Sequence, residues 1–173
     1  MTQSWHARAF AAGDKPSLRS FRCATTPLAW EVEVESWVQD ESDRWATDSA
    51  FAQMDRRLLL LLNPKGTLAG VVAHELKDAI QPGTQESFLI RCVTAIAVST
   101  TCQGTTIPRY GRVSDVLLAT ALGDIAARLP AVPFVSALIH VDNVRSSTLF
   151  TRHEFDAYPP PVNGYLRHTL ANP

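Results

Sequence analysis

The sequence predicts a mixed α+β domain, and three observations carry that prediction. The run Phe88–Val98 (FLIRCVTAIAV) is apolar and rich in β-branched residues, as a buried strand is. A polar loop later, Val113–Leu129 repeats apolar residues at helical spacing. Phe134–Val141 then returns to a strand-like apolar run. A buried strand, a helix and a second buried strand in that order call for a sheet with helices packed on it.

The other elements follow along the chain. Trp5–Ala11 is read as a first strand. Pro27–Val38 carries two patterns. Trp30, Val32 and Val34 alternate with glutamates as in a strand, while Trp30, Val34, Trp37 and Val38 share one helical face. Arg57–Leu62 and Thr67–Leu76 form a hairpin across Asn63-Pro64-Lys65-Gly66, with Pro and Gly supplying the turn. Asp78–Ser87 is polar, contains Pro82-Gly83 and is read as a loop. Leu118, Leu122, Ile125 and Leu129 stripe the long helix, beside Val113, Leu117 and Ala121. Ser114 or Asp115 caps its start, and Pro130 and Pro133 end it. Asn143–His153 is a short helix. Phe155–Tyr158 and Gly164–Leu170 are final strands joined by a proline-rich turn. The order is hairpin, strand, helix, strand, helix, strand.

The chain has 173 residues, enough for one domain (1–173) with a real core. Sixteen Lys and Arg against 17 Asp and Glu leave a net charge of −1, so no general nucleic-acid or membrane field is expected. Arg109, Arg112, Arg145 and Arg152 can still converge into a local basic patch. The three cysteines, Cys23, Cys92 and Cys102, lack metal-ligand spacing and are odd in number, which argues against a disulfide framework or a metal site. No signal peptide or membrane-length apolar run is visible, so a cytoplasmic location is expected.

The chemistry-bearing segment is the passage from the central strand into the long helix. Val98 is followed by Ser-Thr-Thr-Cys-Gln103-Gly104 and then by Gly111-Arg112-Val113-Ser114 at the helix start. A strand opening through a Gln-Gly turn into a helix leaves backbone N–H groups unpaired at the positive end of the helix dipole. That arrangement suits a phosphate or pyrophosphate. The segment resembles the acyl-CoA-binding motif of the GNAT superfamily of N-acyltransferases. Thr105–Tyr110 interrupts the motif as an insertion, and Arg112 stands where that family has Gly. A second segment, Val135–Phe155, is similar to the family's fifth strand and following helix, with Asn143, Ser146, Leu149, Phe150 and Phe155 at matching positions. Phe150 replaces a Tyr and Glu154 replaces a Gly. Phe21-Arg22-Cys23, with Leu28 and Trp37, resembles the start of bacterial GNAT toxins that acetylate aminoacyl-tRNA.

The resemblance implies a central, mostly antiparallel sheet of six to seven strands, whose parallel pair splays to admit a pantetheine arm. It also favours the helical reading of Pro27–Val38. It implies acetyl-CoA as cosubstrate, held by Ala97, Val98, Gln103, Gly104, Gly111, Arg112, Val113, Ser114, Asn143 and Phe150. A backbone N–H near Val98, with Ala97 as its neighbour, would polarise the thioester carbonyl.

Candidate bases are Glu75 and His74, at the end of the second hairpin strand. Tyr110 or Tyr165 could supply the acid that Phe150 cannot, and His140 could approach the thioester. The expected activity is direct transfer of an acetyl group to an amine. The acceptor is a small-molecule amine, a protein amine or an aminoacyl-tRNA. The alternative is a non-catalytic module of the same fold that binds CoA or a protein partner. A homodimer is an expectation from the superfamily alone.

Overall fold

The computed structural model describes residues 4–26, 28–80 and 83–171. Its elements are β1 (His6–Ala9), α1 (Lys15–Arg19), α2 (Ala29–Asp40), α3 (Ser42–Thr47), β2 (Arg57–Leu62), β3 (Leu68–Ile80), β4 (Ser87–Val98), β5 (Thr106–Ile107), β6 (Gly111–Arg112), α4 (Val113–Ala126), β7 (Phe134–His140), α5 (Val144–Arg152), β8 (Asp156–Val162) and β9 (Tyr165–Ala171). Short 3-10 turns at Ala12–Asp14 and Ser49–Met54 fill the N-terminal connections.

Seven strands form one sheet in the order β1-β2-β3-β4-β7-β9-β8. Every neighbouring pair is antiparallel except β4–β7. Two cores sandwich the sheet. One packs α4 and α5 against it through Leu117, Leu118, Ala121, Ile125, Leu149 and Phe150. The other packs α1 and α2 on the opposite face through Leu18, Phe21, Val38, Leu60 and Val71. The α+β class and the splayed parallel pair expected from the sequence are both present.

Several boundaries differ from the sequence reading. Asp78–Ile80 pair with Ser87–Leu89, so both ends of the expected loop belong to the strands of a long hairpin. Cross-strand pairing overrides its polar composition. Pro27 and Pro82 lie outside the described residues. The long helix stops at Ala126, and Leu129, expected on its buried stripe, is 86% exposed. Pro130 disfavours the helical conformation for the residue before it.

Pro159–Pro161 lie within β8, not in a turn; the turn is Asn163-Gly164, both at positive φ. β8 is a solvent-exposed edge strand, where a missing N–H costs no ladder bond. Thr105–Tyr110, expected as an insertion in the motif, is largely a small hairpin in which Thr106 pairs with Arg112 and Ile107 with Gly111. No helix among the described residues is long and apolar enough to cross a membrane.

A bulge in β4 positions everything that follows. Ala73 pairs with Ala95, but His74 pairs with Val93, leaving Thr94 as an extra residue. The bulge reverses the strand's faces. Val93 belongs to the α4-side core, and Ala95 and Ala97 to the α2-side core. The parallel ladder to β7 stops at the same place, with Val93 opposite Ala137.

Candidate functional site

Beyond Val93, β4 and β7 no longer pair, so the N–H groups on that side of β4 have no strand partner. Strand alternation identifies them. The Ser99 N–H donates to the Ala69 carbonyl at 2.8 Å, towards β3. Ala97, two residues earlier, therefore also faces β3, opposite Val71. Ile96 and Val98 consequently direct their N–H groups into the gap. The expected polarising donor near Val98 is thus Val98 or Ile96. Ala97, named as its neighbour, is committed to the ladder.

A cavity of about 670 Å³ opens on one side of this gap. Of the residues expected to hold the cofactor, Ala97, Val98, Gln103, Gly104, Arg112, Val113, Ser114 and Asn143 all line it. Gly111 and Phe150 do not. Gly111 turns the small hairpin at φ 88°, and Phe150 is 2% exposed beneath a second cavity.

The turn is held by its own side chain. Gln103 Nε2 donates to the Cys23 carbonyl at 2.6 Å and to the Val98 carbonyl at 3.3 Å, tying the turn to the N-terminal segment. Gly104 adopts φ 74°, the left-handed conformation that favours glycine. Arg112 does not need glycine: it is extended, at φ −70° and ψ 153°. Its position as the helix N-cap turns what looked like a defect in the motif into a cationic side chain on the cavity wall.

Neither Ser114 nor Asp115 is the N-cap of α4. Asp115 instead accepts the Arg112 N–H from within the first turn, at 3.3 Å. The Val113 N–H bonds to the Thr105 carbonyl at 3.1 Å. The Ser114 and Asp115 N–H groups have no partner in the helix's own ladder and stand at its positive end.

Arg145 and Arg152 join Arg112 on the cavity wall; Arg109 does not reach it. Arg152 also donates to Asp115 at 2.7 Å, and the carboxyl of Asp115 is held below its usual range by Arg152 and His153 against the cost of burial. The chemistry of this wall fits a pyrophosphate and the other phosphate of an acyl-CoA: three guanidinium groups, free helix-start N–H groups and a glycine turn. Cys23 also lines it, but burial, with Glu35 and Glu31 nearby, pushes its thiol up to about 12, so it stays protonated and is a poor nucleophile.

Asn143 does the work of a cap. Its Oδ1 accepts the Ser146 N–H at 3.1 Å at the start of α5, and its side chain borders both cavities.

The expected bases lie elsewhere. His74 is fully buried, with Nε2 3.0 Å from Asp124 on α4. Glu75 is 3% exposed and pairs with Arg56 at 3.0 Å and Lys77 at 2.8 Å. Neither lines this cavity or the second one. Their partners close over that end of the hairpin: Asp124 from α4, Arg56 from just before β2, and Lys77 two residues on along β3 itself. Tyr110 is 73% exposed at the tip of the small hairpin and faces neither cavity.

A second cavity, of about 590 Å³, lies on the other side of the gap. It is lined by Trp30, Glu33 and Trp37 of α2, Glu41 at its C-terminal cap, Trp45 of α3, Thr94 and Ile96 of β4, and Leu138, His140 and Tyr165. Trp30, Val34, Ile96, Asn143 and Ser146 border both cavities, so the two meet at the splay. The Tyr165 hydroxyl donates to Glu33 at 3.4 Å, and the Tyr165 pKa is raised by burial and by that carboxylate. His140 stacks on Trp30 at 4.7 Å. The sequence reading missed the glutamates of α2. Glu33 lies three residues from Trp30 and four from Trp37, on the same helix face, and Glu41 follows four residues after Trp37 at the helix end, a pattern that single-face apolar spacing does not single out.

No group of three metal-ligating side chains comes together among the described residues.

The sheet order, the splayed parallel pair and the glycine turn entering α4 are those of the GNAT acetyltransferase fold, and solved structures of that class match nearly the whole chain. A GNAT-family protein from Desulfovibrio desulfuricans superposes with a TM-score of 0.64 at 15% identity, covering 97% of this chain and 99% of its own. The AtaT toxin bound to acetyl-CoA and the C-terminus of the antitoxin AtaR gives 0.68 at 12% identity, covering 97% and 93%. AtaT complexed with acetyl-methionyl-tRNAfMet gives 0.69 at 10%, covering 97% and 95%. No family model and no curated protein sequence matches the chain.

Proposed function

We propose that the protein is an acyl-CoA-dependent N-acyltransferase, with acetyl-CoA as the donor and direct transfer to a primary amine. The observation that carries this reading is the gap beyond Val93 and Ala137. It joins a basic cavity at a helix start to an acidic, aromatic cavity, with the Ile96 N–H on the border of both. A donor reaching from the first cavity and an amine entering from the second would meet at that N–H.

The chain's residues then divide the work. Arg112, Arg145, Arg152 and the α4 N-terminus bind the phosphates. The Ile96 or Val98 N–H donates to the carbonyl oxygen as it gains charge, as a dipole already fixed by the strand. The C–N bond forms and the C–S bond breaks. An ammonium first gives one proton to Glu33 or to water, which frees its lone pair for attack; the nitrogen then loses a second proton to water, and the thiolate takes one from Tyr165 or water. Phe150, at the position of the family's Tyr, has no proton to give. That residue favours the second reading, a non-catalytic module of the same fold.

Calorimetry with acetyl-CoA and free CoA, followed by free-thiol release in the presence of amines, tests the proposal. Micromolar binding is expected, weakened by Gln103→Ala combined with Ser114→Asp. Absence of binding by either ligand would reject the phosphate site. Binding without thiol release for any amine would leave the module reading.

A further inference from the structure

We propose that the acceptor is a small cationic amine carrying a flat apolar group, not the end of a charged RNA. This rests on the acyltransferase reading and names the substrate class of the same site.

The two cavities that meet at the splay have opposite electrostatic character. Arg112, Arg145 and Arg152 stand on the donor side with a single carboxylate in its lining, Glu31, which Arg145 meets at 3.7 Å. The acceptor side carries Glu33 and Glu41 and no Lys or Arg in its lining. A polyanion approaching that mouth meets like charge, whereas a protonated amine is attracted. Glu33 is directed across the cavity by the Tyr165 hydroxyl, 3.4 Å from its carboxylate.

The remaining walls are aromatic. Trp37 and Trp45 meet edge to face at 5.6 Å, and Trp30 lies flat against His140 at 4.7 Å. All three indoles are only partly buried, so they present ring surface to the cavity. Tryptophan faces attract both cations and flat apolar groups. One such contact is already made here: the Arg56 guanidinium lies 5.2 Å from the Trp45 ring centre, its charge matched by Glu75 at 3.0 Å. An amine with a planar substituent therefore uses both features of the wall. A bare alkylamine uses only the carboxylates, and a neutral aromatic uses only the rings.

The test is a ligand series on the purified protein, read by calorimetry and by tryptophan fluorescence excited on the red edge. Phenethylamine supplies charge and ring, butylamine charge alone, and 2-phenylethanol ring alone. Phenethylamine is expected to bind roughly tenfold more tightly than either of the others, with Glu33→Gln removing most of its advantage over the alcohol. Equal binding of phenethylamine and 2-phenylethanol, or no binding of phenethylamine, overturns the inference. So does free-thiol release with aminoacyl-tRNA but not with phenethylamine. The binding arm needs no acetyl-CoA. If phenethylamine shows the expected preference but acetyl-CoA does not bind, the acyltransferase reading fails and the cationic-aromatic site stands.

Discussion

Val93 and Ala137 are the last residues to pair across the parallel strands β4 and β7, and the bulge at Thr94 follows immediately. An extra residue bends its strand and increases local twist. Here the bend coincides with the end of the ladder and turns Ile96 and Val98 towards the gap. The site is thus an interruption of pairing inside an otherwise continuous sheet.

Gly70 lies where β3 passes under α4. A Cβ there would come 2.5 Å from Leu117 Cδ1 and 2.8 Å from the Ala97 carbonyl oxygen. The second of these is backbone and cannot rotate away. Gly70→Ala is expected to cost about 1–3 kcal/mol of stability, read as a lower urea midpoint. An unchanged midpoint would mean that α4 can shift without loss.

Glu154 occupies the left-handed region, with φ 66°, at the position where the family has glycine. A side chain there costs roughly 1–2 kcal/mol, partly offset by the greater chain entropy that glycine loses on folding. Glu154→Gly is therefore expected to stabilise the protein by about 0.5–1 kcal/mol, a rise of a few degrees in Tm by calorimetry. A fall in Tm would show that the Glu154 side chain contributes more than its backbone costs.

His74 links pH to stability. Burial is the largest influence on its pKa, lowering it; Asp124 raises it, and Arg91 and Arg128 lower it further, to about 4. The unfolded histidine, near 6.5, binds a proton more readily than the folded one. Its stabilising contribution is present above pH 6.5 and is lost as pH falls towards 4. The full loss is on the order of 3 kcal/mol. Urea midpoints of the protein and of His74→Leu, followed from pH 7 to pH 4, should converge as acid is added. Parallel curves would show that other groups govern the acid limb.

Phe150 packs edge to face on Phe155 at 4.9 Å and lines the acceptor cavity. If this position governs thiolate protonation, Phe150→Tyr should raise kcat with little change in the KM for acetyl-CoA. A proton donor in place contributes on the order of 10²-fold. Steady-state thiol release would check it; an unchanged kcat with a folded variant would mean that another group or water already supplies the proton.

Much of the framework was legible because local patterns and tertiary demands agree. The hairpin leucines and the α4 stripe as far as Ile125 follow from local pattern alone. Arg112 and the Thr105–Tyr110 segment departed from the motif in ways sequence alone cannot judge, because it does not show that residue 112 is extended and that Gly104, Arg109 and Gly111 carry the positive φ. The burial of His74 and Glu75 was illegible for a different reason. Strand alternation says that the two face opposite sides, but not that Asp124 covers one and that Arg56 and Lys77 pair with the other.

The sequence by itself determined the α+β class, the strand-turn-helix whose first N–H groups lack ladder partners, and the arginines that lie near it in the chain. These follow from periodicity and turn chemistry acting over a few residues. Only the tertiary structure decided where the β4–β7 ladder stops, which N–H groups it leaves free, and that Glu33 and Tyr165, far apart in the chain, face each other across the acceptor cavity. Those outcomes depend on one bulge and on how two helices cover a sheet, and neither leaves a local signature.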